Sequence, residues 1–423
     1  MGLSFYLGID FGTSGARAVV IDTTATVQAE VSLPFPPSPP EAWSALWQTS
    51  LFELITQLPL GVRSQIQRLA INGTSATILL CDSDGHPVYP PLLYNDSRAA
   101  IVLPLLSSIA PPAHAVLNAS SGLAKLLWLS QQPSFAQAKF LMHQADWLAF
   151  LLHGQAGITD YHNCLKLGYD PAQEKYPDWF NHPVLLPLLP LLPQVVAPGT
   201  LIATVKAEIA AQLHLPPHCQ VCAGTTDSIA AFLASGAKTP GVAVTSLGST
   251  LVLKLLSQSP AQDSRNGIYS HRLGSLWLVG GASNTGGGVL RHYFTDEELV
   301  QLSQQIDPDR PSGLNYYPLL QPGERFPIND PHLEPRLTPR PDDPVAFLHG
   351  LLESLARIEA QGYQLLAQQG ANRLTQVLTA GGGAKNPTWT AIRQRYLGVT
   401  VCPSPHSEAA YGTARLALEG MNS

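Results

Sequence analysis

No stretch of this sequence is long and apolar enough to cross a bilayer. The nearest, PVLLPLLPLLP from Pro183, runs eleven residues and is broken by prolines, where a spanning helix needs roughly twenty. It reads as a surface connection or short helical turns. The N-terminus carries no basic segment or small-residue cleavage site, and Asp10 interrupts its apolar run early, which argues against a secretory signal and for a cytoplasmic protein. Charge is scarce: 13% of residues, 24 basic against 30 acidic, with a net charge of -6. A basic footprint for nucleic acid or an anionic membrane is missing, and small-molecule partners are expected instead. Of only five cysteines, Cys219 and Cys222 in HCQVC alone are closely spaced. That segment alternates like a strand and opens no helix at its first cysteine, so buried reduced thiols are expected rather than a redox pair. The thirteen histidines show no ligand spacing such as HExxH, which leaves no basis for a zinc site.

What is present is apolar bulk. With 423 residues, 45% of them hydrophobic, the chain has the size of two domains, each able to bury its own core. Residues 4–9 and 16–21 read as strands joined by a glycine turn, and residues 242–245 and 251–255 flank the turn SLGST in the same way. Two hairpins with glycine and hydroxyls at their tips, half a chain apart, suggest two domains on one plan. Helical spacing marks residues 41–58, 145–152, 345–368 and 408–418, so the fold class is α/β. The proline-rich stretches 33–40 and 307–344 read as loops or polyproline segments.

Neither a Walker A loop nor a protein-kinase signature is present, so phosphoryl transfer would need another architecture. DFGTSG offers the Asp10 carboxylate at a strand end, glycines Gly12 and Gly15 that let backbone N–H groups approach an anion, and the hydroxyls of Thr13 and Ser14. An ordinary hairpin turn has the same form. In GTTDSIAAF, Asp227 stands at a helix start, where a carboxylate caps the helix or takes a proton from a substrate hydroxyl. In TAGGGAKNP a strand runs into three glycines and a helix opened by Asn386 and Pro387, which suits nucleotide docking and equally a plain cap. NDSR supplies an acceptor in Asp96 and a donor in Arg98 for a sugar, or an exposed ion pair.

In their order, DFGTSGARAVVID, YNDSR, QADWLAFLLHG, TDYHNCLKLGYD, GTTDSIAAF, SLGST, GERFPINDP and TAGGGAKNPTWTAIRQRYLG resemble the FGGY carbohydrate kinases, and the likeness covers nearly the whole chain. The resemblance implies two actin-like, ribonuclease-H-like α/β domains flanking an ATP and sugar cleft. Residues 1–223 would be the sugar-binding domain and 224–423 the nucleotide-binding domain, with the last helix returning to the first. It also implies ATP and Mg²⁺. Asp10 would organise the metal beside the sugar, Gly12, Thr13 and Ser14 would meet the transferring phosphate, and Gly248, Ser249 and Thr250 would cradle phosphates from the other domain. Gly286, Gly381, Gly382 and Asn386 would hold the nucleotide, Asp227 would be the catalytic base at the sugar hydroxyl, and Asp96 and Arg98 would fall at the sugar site.

Two departures refine this expectation. Many xylulokinases carry a GQMHG-like segment where this chain has INGTSATI, so a histidine is missing and Ser75 becomes the candidate sugar contact. The chain is also shorter than most of the family, resembling a short cyanobacterial and plant-plastid subgroup similar to D-ribulose kinases. The expected reaction is phosphorylation of a terminal hydroxyl of a ketopentose, D-ribulose to D-ribulose 5-phosphate, by a monomer or homodimer. D-xylulose kinase is the alternative within that class, and a sugar-independent actin-like ATPase binding module the alternative outside it.

Overall fold

The computed structural model describes residues 4–420. Residues 4–234 with 408–420 form one compact unit, and residues 235–407 form another. In the first, β1 (Phe5–Phe11) and β2 (Gly15–Ile21) pair as an antiparallel hairpin. β3 (Val27–Pro34) adds to β2 at the sheet edge, and its alternation of half-buried and exposed residues is that of a strand with one wet face. Leu33 and Pro34, expected in a loop, still pair with Ala16 and Gly15, since an edge strand tolerates proline. β4 (Ile66–Gly73) lies parallel to β1 on its other side. β5 (Leu201–Thr204) pairs with β6 (Gln220–Cys222), giving the order β3-β2-β1-β4-β6-β5, and the short β7 (Thr225–Thr226) pairs with the end of β4.

Helices cover both faces of β1, which is why it is apolar along most of its length. Phe5, Leu7 and Ile9 join a core with Trp47, Leu51, Leu54 and Ile55 of α1 (Trp43–Gln57). Helices α2 (Gly122–Leu129), α3 (Gln144–His153) and α4 (Asp227–Ala234) follow along the chain. On the opposite face of β1 lies the last helix, Ala409–Glu419. A Cβ on Gly8 would come 2.1 Å from Ala410 O, and one on Gly412 would come 1.8 Å from Ala230 O, so this helix rests directly on the backbones of β1 and α4. The chain leaves the first unit after Ala234 rather than at 223/224, because β7 extends the β4 ladder and α4 packs against the last helix. Asp227 therefore belongs to the first unit.

Cys219 and Cys222 are free and buried, and burial pushes their thiols up to about 12 and about 11, far from the range of a reactive thiolate. Among the described residues no helix is long and apolar enough to cross a membrane. Within the proline-broken apolar stretch, Leu186–Leu191 forms short 3-10 turns.

In the second unit, β8 (Val242–Leu247) and β9 (Leu251–Ser257) form another hairpin. β10 (Tyr269–Leu273), β11 (Leu276–Ser283), β12 (Gln376–Ala380) and β13 (Thr400–Pro403) complete the order β10-β11-β9-β8-β12-β13. The echo between the hairpins extends to topology: the leading strand of each also pairs in parallel with a later strand, β4 or β12. Helices α5 (Pro344–Gln368) and α6 (Pro387–Leu397) complete the second unit's core. A buried ion pair joins them. Arg393 donates to Glu359 from Nε at 2.6 Å and Nη2 at 2.8 Å, and to Thr379 from Nη1 at 2.7 Å, while Thr245 Oγ1 donates to Glu359 at 2.5 Å. One point thus ties α5 and α6 to β8 and β12.

Candidate functional site

Strand pairing dictates where the carboxylates of the first unit fall. Asp10 on β1 and Thr225 on β7 both pair with Asn72 of β4, so Asp10 and Asp227 arise on either side of the same strand end. Burial pushes the Asp10 carboxyl up to about 7, with the charge of Asp227 adding to the shift and Arg17 opposing it. Asp10 Oδ1 is buried with no hydrogen-bond partner, a costly state for a carboxylate unless positive charge or a proton sits beside it. A hard divalent cation with oxygen ligands suits that position. Asp227 is the first residue of α4, and its Oδ1 accepts from Ser228 N at 2.6 Å. Just upstream, His162 Nδ1 lies 2.8 Å from Thr225 Oγ1 and braces β7.

Sequence reasoning gave Lys166 no role, yet it lies near Asp227. Burial pushes its ammonium pKa down and the Asp227 charge opposes that shift. The only sequence signal was a lone cation in the uncharged run HNCLKLGY.

At the first hairpin tip Gly12 N donates to Gly15 O at 3.0 Å, leaving Thr13 and Ser14 exposed. At Gly15 packing leaves no space for a side chain, since a Cβ there would lie 2.6 Å from Leu33 O; around Gly12 there is room. Ser75 is half-buried in the turn after β4. Next to it, Thr74 donates from N and Oγ1 to Gln144 Oε1, both at 3.0 Å. A small hollow here is lined by Gly12, Thr13, Trp43, Thr74, Tyr94 and Gln144. Asp96 and Arg98 bind each other, with Nε–Oδ1 and Nη2–Oδ2 both at 2.9 Å and the guanidinium 5.2 Å from the Trp128 ring centre. Asp96 and Arg98 thus form an ion pair with each other.

In the second unit, the β8–β9 tip carries Gly248, Ser249 and Thr250. The Gly248 and Ser249 carbonyls accept from Gly287 N at 2.9 Å and Gly288 N at 3.0 Å, at the start of the helix Gly287–Tyr293. Gly286 lets that helix come so close, because a Cβ there would fall 2.6 Å from Thr250 C. Beside it opens a cavity of about 370 Å³, lined by Leu247, Leu290, Trp389, Ser303, Gly382 and Asn386 among others. Its size and apolar walls with a few polar groups are those of a small-molecule pocket. Gly381 sits just behind, at φ +83, with space for a Cβ closed by Leu247 O at 2.7 Å; Gly382 is open on that side. Asn386 caps α6, accepting from Trp389 N at 2.9 Å and donating to Ser303 Oγ at 2.8 Å. Both ends of its amide are thus engaged in shaping the cavity wall.

Residues 5–234 match the N-terminal domain of the FGGY family of carbohydrate kinases, and residues 243–421 match its C-terminal domain. The chain belongs to the FGGY family of carbohydrate kinases. It is accordingly a phosphotransferase with an alcohol acceptor, in a family that uses ATP and typically a divalent metal. Among its relatives is a xylulose kinase of Streptomyces coelicolor, 27% identical over 428 residues, with 96% of this chain and 86% of that one covered. A xylulose kinase of Lactococcus lactis is 23% identical over 415 residues, covering 91% and 81%. Of solved FGGY structures, a xylulose kinase from Rhodospirillum rubrum superposes with a TM-score of 0.82 at 22% identity over 98% of this chain and 90% of that one. Plasmodium falciparum glycerol kinase with ADP gives 0.82 at 16% identity, covering 98% and 89%. The fold is thus the two-domain α/β fold of the FGGY sugar kinases, consistent with the actin-like ATPase fold.

Proposed function

We propose that this kinase transfers the terminal phosphate of ATP to a terminal hydroxyl of a ketopentose, D-ribulose in first place. The observation that carries the reading is the pair Asp10 and Asp227 at one strand end, one a buried carboxylate with an unpartnered oxygen, the other the first residue of a helix. In this reading Asp227 accepts the proton of the attacking hydroxyl, a role worth on the order of 10²–10⁴ in rate. Lys166 steadies the developing charge next to it, and Ser75 contacts the sugar. Asp96 and Arg98 shape the sugar site as a pair. Asp10 would hold a divalent ion, Mg²⁺ in the cell, which when bound neutralises phosphate charge. The nucleoside would sit in the cavity beside Gly381, Gly382 and Asn386, and the hydroxyl-bearing tips at Thr13–Ser14 and Gly248–Thr250, with Gly286 behind the second, would face phosphate. The first unit would then serve the sugar and the second the nucleotide.

D-xylulose is the second reading, favoured by relatives named xylulose kinase. What supports ribulose is the short-subgroup likeness and the INGTSATI segment in place of a histidine-bearing one. Purified protein with Mg²⁺ and ATP, offered a panel of ketoses with ADP release as readout, tests both. D-ribulose should give the highest kcat/KM. A preference for D-xylulose would replace the first reading by the second, and ATP hydrolysis indifferent to every sugar or polyol would remove both.

A further inference from the structure

Lys125 is fully buried on α2, and none of its hydrogen bonds goes to a carboxylate. Lysine is almost never fully buried unless paired, and an apolar residue of the same length would satisfy packing without the desolvation cost. The ammonium instead donates to two backbone carbonyls, Ala76 O at 2.8 Å and Leu93 O at 2.6 Å. These belong to separate loops. Ala76 closes the turn that carries Thr74 and Ser75, in a left-handed conformation at φ +62 that residues with a Cβ rarely adopt unless their surroundings hold them there. Leu93 leads into Tyr94 and the Asp96–Arg98 pair. Thr74, Leu93 and Tyr94 line the hollow beside Gly12 and Thr13. Burial pushes the Lys125 amine down to about 7, with the charge of Asp96 opposing and that of Lys166 adding.

We propose that Lys125 is a positioning residue for sugar recognition, a clamp that fixes the 74–77 and 93–98 loops against each other from below while touching no substrate. The inference rests on the reading of those loops as the sugar-contacting segments. Helix α2 is a rigid base for it, its Ser121 cap accepting from Ala124 N at 3.2 Å. The Ile78–Leu92 bridge ties the same two segments one step away, so loss of the clamp loosens the loop tips without unfolding the strands behind them.

The test is Lys125→Met, which keeps the length of the stem and removes the donors. Wild type is first taken through the ketose panel, and the accepted sugar is used for the variant. The expected result is a rise in sugar KM on the order of 10²-fold, with the KM for ATP within about twofold of wild type and sugar affinity measured by calorimetry falling in step. Lys125→Gln, which retains two N–H donors on a shorter arm, should fall between the two and stands in for the methionine variant if that one does not fold. A variant that loses thermal stability while its sugar KM and calorimetric affinity stay at wild-type values would overturn the proposal, as would equal losses for sugar and ATP. Wild type phosphorylating no sugar would instead strike the ketopentose reading, so the two failures are told apart.

Discussion

At the scale of single residues, the proposed site places two carboxylates in different environments. Asp227→Asn is expected to lower kcat by about 10²–10⁴ while leaving nucleotide affinity within about twofold, measured by coupled ADP release and by calorimetry. Asp10 sets a pH dependence. Its folded pKa of about 7 lies above the ordinary 3.8, so the folded state holds this proton more tightly than the unfolded one. The cost of ionising it is absent below about pH 4, grows as pH rises, and is complete above about 7. Asp10→Asn should therefore raise the melting temperature by a few degrees at about pH 8 and change it little at about pH 4. Mn²⁺ affinity of the wild type, followed by titration, should weaken about tenfold per unit below pH 7, and the midpoint should move to lower pH in Asp227→Asn, where the neighbouring charge is gone. Asp10 and Asp227 were legible in the sequence because each sits at a strand end next to a glycine or a helix start. Lys125 and Lys166 were not, since a lone lysine in an apolar run looks the same whether its amine reaches water or carbonyls supplied by distant loops.

At the scale of elements, the strands and helices fall close to where hydrophobic periodicity puts them, because buried faces leave a mark every second or every third to fourth residue. Edges are less legible. Leu33 and Pro34 belong to β3 because Ala16 and Gly15 lie opposite them, which no local pattern announces. The Glu359–Arg393 pair was likewise hidden, its halves being thirty-four residues apart on two helices. Arg393→Met should destabilise the second unit by about 3–5 kcal/mol, because it strands a buried carboxylate. Adding Glu359→Leu should recover most of that loss, and chemical denaturation of both variants checks it. Since Asn386, a nucleotide candidate, caps α6, the single variant should also raise the KM for ATP more than that for the sugar.

At the scale of the whole molecule, the two-domain plan was readable from the paired hairpins, but the division point was not. A sequence reads as a line, and the first unit is assembled from two separate pieces of it. Asn72, in the strand between the two carboxylates, donates to Thr413 Oγ1 of the last helix at 2.6 Å, so the far end of the chain helps to furnish the first unit's site. A fragment of residues 235–407 is expected to unfold cooperatively on its own, followed by circular dichroism on heating. A fragment of residues 1–234 should remain without a cooperative transition, and joining residues 408–423 to it through a short linker should restore one. Cooperative melting of 1–234 alone would show that the last helix is dispensable.

That discontinuity bears on synthesis. A ribosome emits the β1–β4 strands first and the helix that covers them last, so one face of the sheet waits, uncovered, while the whole intervening unit is translated. The first unit therefore starts to form before the second and is completed only after it.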